Sequence, residues 1–199
     1  MPPPLRSCGV ARSPQTLSVD DRRTLSAWAA DCAEHVRPVF EEAAPADDRV
    51  RGAIDQARSF AAGSLDVRDA VRQRGGQAGA AARAAPTPAA TAAAYAAEQA
   101  AAVAHMGAHA LGAAGYAAQA VALAAACDDG GITQQEARRL VVAMPDDVAR
   151  ALRRLPALGE DRAGPLGPGR LSTGHVGSTI RAIQDLLRRQ PLGDDTLVR

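Results

Sequence analysis

His105 and His109 stand four residues apart in "HMGAH", so on one helix they would share a face and could share a zinc ion. Glu98 lies seven residues before His105 and falls on the same stripe if the helix runs through. Together they would make a set of two histidines and a carboxylate, for zinc or iron. The pattern stops short of a metalloprotease motif, because His105 is followed by Met106 where that chemistry needs a glutamate as general base. The same two histidines serve equally as structural groups, each ring bonded to a carbonyl or a side chain.

Both lie in "AVAHMGAHALGAAGYAAQAVALAAA", residues 102–126, a stretch without one charged side chain. It is long enough to span a bilayer. Its composition argues otherwise: alanine and glycine dominate, His105, His109 and Gln119 interrupt it, and neither a basic cluster nor an aromatic belt flanks it. A core helix needs nothing more. Small residues let neighbouring backbones approach, while Val103, Met106, Leu111, Val121 and Leu123 fill the remaining space. The stretch is expected to be core, with no membrane span.

Other chemistry finds little footing. No phosphate-binding loop, dinucleotide fingerprint or nucleophile elbow occurs, and "GPLGPG" has prolines where an anion nest needs N–H groups. Cys32 falls on an apolar stripe between Trp28 and Val36, the place of a small core residue and not of a nucleophile. Asp47 and Asp48 suit the positive end of a helix dipole. The chain has 23 basic residues, all arginine, against 22 acidic ones, so no overall field would hold a nucleic-acid backbone. Three scattered cysteines make no disulfide framework and favour a reducing, cytoplasmic setting. The proline-rich opening has no apolar signal region.

The elements that must position these residues all read as helices, giving an all-α class: a compact bundle of about six to eight helices around a Gly/Ala-rich central helix or helix pair. Ser18 is placed to cap the first, whose apolar stripe is Leu25, Trp28, Cys32, Val36 and Val39; Pro38 inside it is expected to kink or end it. A second runs over 47–62 with Val50, Ile54, Ala57 and Ala61 inward and Gly63 just past its end. A third, over 66–85, should bend or fray at Gly75 and Gly76. Thr87 and Pro88 then start a run of helix-forming sequence that reaches Ala126. As one rod it would be about 60 Å long, against a diameter near 42 Å for a domain of this size. A break is expected near Gly107 or between Gly112 and Gly115. Thr133 and Glu136 have capping-box spacing before Leu140, Val141 and Met144, and Pro145 should stop that helix. Val148, Leu152 and Leu155 mark a short helix, residues 156–174 a Gly/Pro-rich loop, and Val176, Ile180, Ile183 and Leu187 the last helix. Residues 1–16 read as a disordered lead-in, 17–190 as one domain and 191–199 as a loose tail.

Three segments carry a resemblance: "LxxWAxDCAExVxPxFE" at 25–41, "DDRVRxAIxxARxFxxG" at 47–63 and "AHMxAHALGAAxYAAxAV" at 104–121. In this order they resemble the Imm-5-like group of immunity proteins of polymorphic toxin systems, common in actinobacteria. The resemblance implies an all-helical protein that binds a cognate toxin inside the producing bacterial cell and occludes it, without catalysis or cofactor. Its motif positions here are Trp28, Asp31, Cys32, Pro38, Ile54, Gly63, His105, His109, Gly112 and Tyr116. Residues 72–85 and the chain after Cys127 depart from the pattern. The charged starts of the first two helices, Asp21, Arg22, Asp48, Arg49 and Arg51, are candidate partner contacts. A third reading is a homo-oligomer in which the Gly112–Ala113 face packs on a second copy.

Overall fold

The computed structural model describes residues 13–73, 76–126 and 131–190, and among them the secondary structure is helical, with no strand. α1 spans Val19–Ala43. The Ser18 hydroxyl caps it by accepting from the Asp21 N–H at 3.1 Å, and Asp20 and Asp21 sit at the positive end of its dipole. Leu25, Trp28, Cys32, Val36 and Phe40 are its buried face. Pro38 does not end the helix. The one bond lost there is from residue 38 to the Glu34 carbonyl, on a side that water reaches, while Val36 and Phe40 hold the buried side. α2, Arg49–Ala61, packs on α1 through Val50, Ile54 and Ala57. It closes at Gly63, whose φ of +78° is the left-handed conformation of a residue just past a helix end. The span 66–85 divides into α3, Val67–Gln73, and α4, Gly76–Ala84; residues 74–75, including the expected bend at Gly75, lie outside the described residues.

The centre is α5, Pro88–Ala102, against α6, His109–Ala124. The Thr87 hydroxyl caps α5 by accepting from the Ala90 N–H at 3.1 Å. The chain leaves helix between them at 103–108, so the break falls at Gly107 and α6 runs uninterrupted through Gly112 and Gly115. Three contacts hold the break. Gly107 and Ala108 donate backbone N–H groups to the Thr16 and Gln15 carbonyls, both at 3.1 Å. The Arg22 guanidinium donates to the Ala104 carbonyl. Leu17 packs where a Gly107 Cβ would lie, 2.7 Å from its Cδ1. Residues 13–16 of the expected lead-in are thus fixed. Gln15 is fully buried, its side-chain amide donating to the Asp161 carbonyl at 3.1 Å and its oxygen accepting from the Leu166 N–H at 2.9 Å.

α1, α2 and α4 cover α5, and α9 lies along α6 with α7 beside it. α7, Gly131–Val142, already includes Thr133 and Glu136, so they form no capping box. Thr133 Oγ1 lies 3.0 Å from His175 Nδ1, and Glu136 pairs with Arg139 at 2.9 Å. Pro145 precedes α8, Asp146–Arg153. The connection 154–173 carries a short 3-10 turn, Arg170–Ser172, and delivers the chain to α9, Gly174–Arg189. One contiguous apolar cluster joins Leu25 of α1 to Leu187 of α9, so the last third of the described chain shares the core. Among the described residues no helix is long and apolar enough to cross a membrane. Gly112 and Ala113 are buried inside the chain, so the small-residue face is covered by its own neighbours and is not open to a second copy.

Candidate functional site

The helix break decides the fate of the histidine pair. α5 stops at Ala102, which leaves His105 in the turn and His109 at the start of α6, so the common helical face assumed for Glu98, His105 and His109 does not form. His109 Nδ1 lies 2.8 Å from Gln99 Oε1. Glu98 lies against α4 instead, where a Cβ on Gly79 would come 2.5 Å from its Oε1. Burial raises the Glu98 pKa, with Arg83 and Arg170 opposing the rise. Among the described residues no group of three or more His, Cys, Asp or Glu side chains is placed to hold a metal ion. Cys32 is sealed in the core, and burial pushes its thiol up to about 12, far from a reactive thiolate.

The charged candidates at the starts of α1 and α2 are mostly engaged within the chain. Arg22 is buried and serves the α5–α6 break. Asp21 meets Arg154 at 2.7 Å. Arg49 pairs with Asp47 and holds that carboxyl below its ordinary range, and Arg51 does the same for Glu41 together with Arg37. Asp48 stays an exposed carboxylate. Of the motif positions, Trp28 and Ile54 are core, Pro38 is exposed, and Asp31 meets Arg58 at 3.2 Å on the surface.

A different constellation forms on the other side of α5 and α6. These helices return past each other, so positions equally far from the turn meet: Gln99 against Gly112, and Tyr95 against Tyr116. The two tyrosine rings lie 5.2 Å apart, tilted by 33°. The chain has five aromatic residues; four are buried, and Tyr95 is half-buried. The 3-10 turn is anchored by buried Leu171 against Gly112, which sets Arg170 over the tyrosines. The Arg170 guanidinium stands 5.7 Å from the Tyr95 ring centre, and its Nη1 donates to the Tyr95 hydroxyl at 3.2 Å.

Tyr95, Tyr116, Gln119, Leu123, Arg170 and His175 line an open cleft of about 750 Å³. Among the described residues no carboxylate is in its walls. Arg170 makes no ion pair with a carboxylate among the described residues. The start of α9 forms one rim and adds the positive end of a helix dipole. Burial raises the Tyr116 phenol pKa, with Arg170 opposing, so the Tyr116 hydroxyl stays neutral at physiological pH. The cleft can therefore bind an apolar surface and an anion at one place.

Sequence reasoning reached Tyr116 only through a motif and Glu98 only as a metal candidate; it missed Tyr95, Arg170 and His175. A tyrosine amid the alanines of α5, in a chain with 3% aromatic residues, was the available signal. Nothing in the Gly/Pro-rich loop marked Arg170, because its position depends on Leu171 and Gly112 meeting across the fold.

The family model described as "Imm-5 like putative immunity protein" matches residues 15–146, more than half of the chain. No curated protein and no solved structure matches it.

Proposed function

Because the chain belongs to the Imm-5 like immunity-protein family, we propose that it is the antidote of a toxin: in the cytosol it binds a cognate toxin domain and covers that domain's working surface, without catalysing a reaction. The match over 15–146 carries this reading. The architecture supports it. A helical scaffold packed through alanine has little room to shift, and it presents tyrosine and arginine at an open cleft, the residue types that anchor protein interfaces. Cys32, with its thiol at about 12, offers no nucleophile.

Coexpression tests the proposal. A candidate toxin domain, sought among the genes neighbouring this one, is induced in a sensitive host with and without the full chain. Survival together with a stoichiometric complex by light scattering is the expected result. Killing unchanged by the chain, with no complex, overturns it.

A further inference from the structure

We propose that the Tyr95–Tyr116–Arg170 cleft is the docking site for that partner, and that it takes an acidic segment of the partner's surface whose apolar residues lie on the tyrosines. The inference rests on the immunity reading and adds the place and the chemistry of contact.

Charge supports it. Arg170 brings a guanidinium to the mouth of a cleft whose walls, among the described residues, include no carboxylate, and the α9 start adds to the same sign. Its one hydrogen bond in the described structure runs to the Tyr95 hydroxyl, and Glu98, the carboxylate that feels its charge, makes no ion pair with it, so the guanidinium keeps an edge for a partner's carboxylate. A carboxylate can reach the free edge of that planar fork while the far edge stays on Tyr95. Two other grooves differ. The one beside Trp28 has Asp31, Asp147 and Arg139 in its walls and selects no charge. The one between α8 and α9 has Arg153 donating to the Leu187 carbonyl at 3.0 Å and Arg188 paired with Asp185 at 2.7 Å, so both cations are already engaged.

Shape supports a protein segment over a small molecule. A small-ligand pocket encloses most of its ligand, whereas this cleft is open along its mouth. Two tilted aromatic rings with an arginine over one of them are the makings of an interface hot spot, centred in a larger contact area. Tyr95 and Tyr116 fall within the family-matched residues 15–146, and Arg170 lies beyond them. The shelf comes from the family part and the charge from the segment after it, which lets that segment set the choice of partner.

The chain has two tyrosines, both in the cleft, and one tryptophan, Trp28, in a separate groove. Ring-labelled tyrosine in the full chain therefore reports the cleft by NMR, and labelled Trp28 is an internal control. The probes are an acetylated peptide alternating glutamate with leucine and its lysine-for-glutamate counterpart. The acidic peptide is expected to shift both tyrosine signals saturably and leave Trp28 in place; Arg170→Glu is expected to weaken that binding by about tenfold or more. Arg170 is exposed, so that variant should melt like the parent; Tyr95→Ala provides a second, charge-neutral loss. Equal shifts from the basic peptide, shifts that survive Arg170→Glu, or none at all overturn the proposal. The toxin domain then separates the two readings. If it binds and protects but leaves the tyrosines unmoved and tolerates Arg170→Glu, the cleft fails and the immunity function stands. If it does not bind while the acidic peptide does, the immunity reading fails and the cleft remains an acidic-segment site.

Discussion

The α5–α6 pair and α9 are packed by opposite means. α5 and α6 are apolar on nearly every side and bury mainly alanine and glycine, so their neighbours approach almost to the backbone. α9 is amphipathic: Val176, Ile180, Ile183 and Leu187 face inward while Arg181, Asp185 and Arg188 face water. In the first region the limit is space that cannot be enlarged; in the second it is volume that cannot be lost. The binding cleft lies on the seam between them. Its tyrosines stand on the region that has least room to move, which favours a surface already shaped for its partner.

The largest expected effect is a truncation in α9. Ile183 is fully buried, and Ile183→Ala removes aliphatic volume that nearby alanines cannot replace. A loss of about 2–5 kcal/mol in urea unfolding is expected. A loss below about 1 kcal/mol would mean that the α9 layer collapses freely, and the contrast would fall. The converse test adds one methyl to α6. A Cβ at Gly115 would lie 2.8 Å from Val176 Cγ1 and 3.2 Å from the Val176 carbonyl oxygen. Gly115→Ala is expected to cost roughly 1–3 kcal/mol despite the better helix propensity of alanine. Adding Val176→Ala should recover part of that cost, and the non-additivity of the pair measures how tightly the seam is packed. Simple additivity would show that α6 has space to yield.

A smaller effect belongs to the start of α5. Thr87→Ala removes the hydroxyl that accepts from the Ala90 N–H and should cost about 1 kcal/mol in the same measurement. This cap was legible in the sequence, as were Ser18, Gly63 and the α9 stripe, because each depends on residues within one or two turns. The break near Gly107 was also legible, from the length of a helix against the size of a domain. Thr133 and Glu136 misled for the opposite reason: their spacing fits a cap, but the helix begins at Gly131 and His175 from α9 takes the Thr133 hydroxyl. Gln15 and Arg22 were misread likewise. A polar residue near a proline-rich start and an arginine at a helix start look solvent-facing until the chain brings Asp161, Leu166 and Ala104 to meet them. The cleft was invisible because Tyr95, Tyr116 and Arg170 are joined only by the α5–α6 turn and the return of the 154–173 connection.

The least effect, and the one that probes the seam electrostatically, concerns Glu98. Burial against α4 raises its pKa in the folded state, and Arg83 and Arg170 offset that only in part. For a carboxylic acid this sign means that the folded state holds its proton more tightly than the unfolded chain does. The favourable contribution is present below the unfolded pKa and is lost as pH rises through the raised folded value, so at neutral pH the buried carboxylate destabilises. Glu98→Gln removes the ionisation while keeping the shape beside Gly79. The variant should melt higher than the parent at pH 7, and the difference should shrink as pH falls into and below the ordinary carboxylate range. A lower melting temperature at pH 7 would show that attraction to Arg83 and Arg170 outweighs desolvation. Glu98 would then be a charge partner that helps to hold the arginine in the cleft.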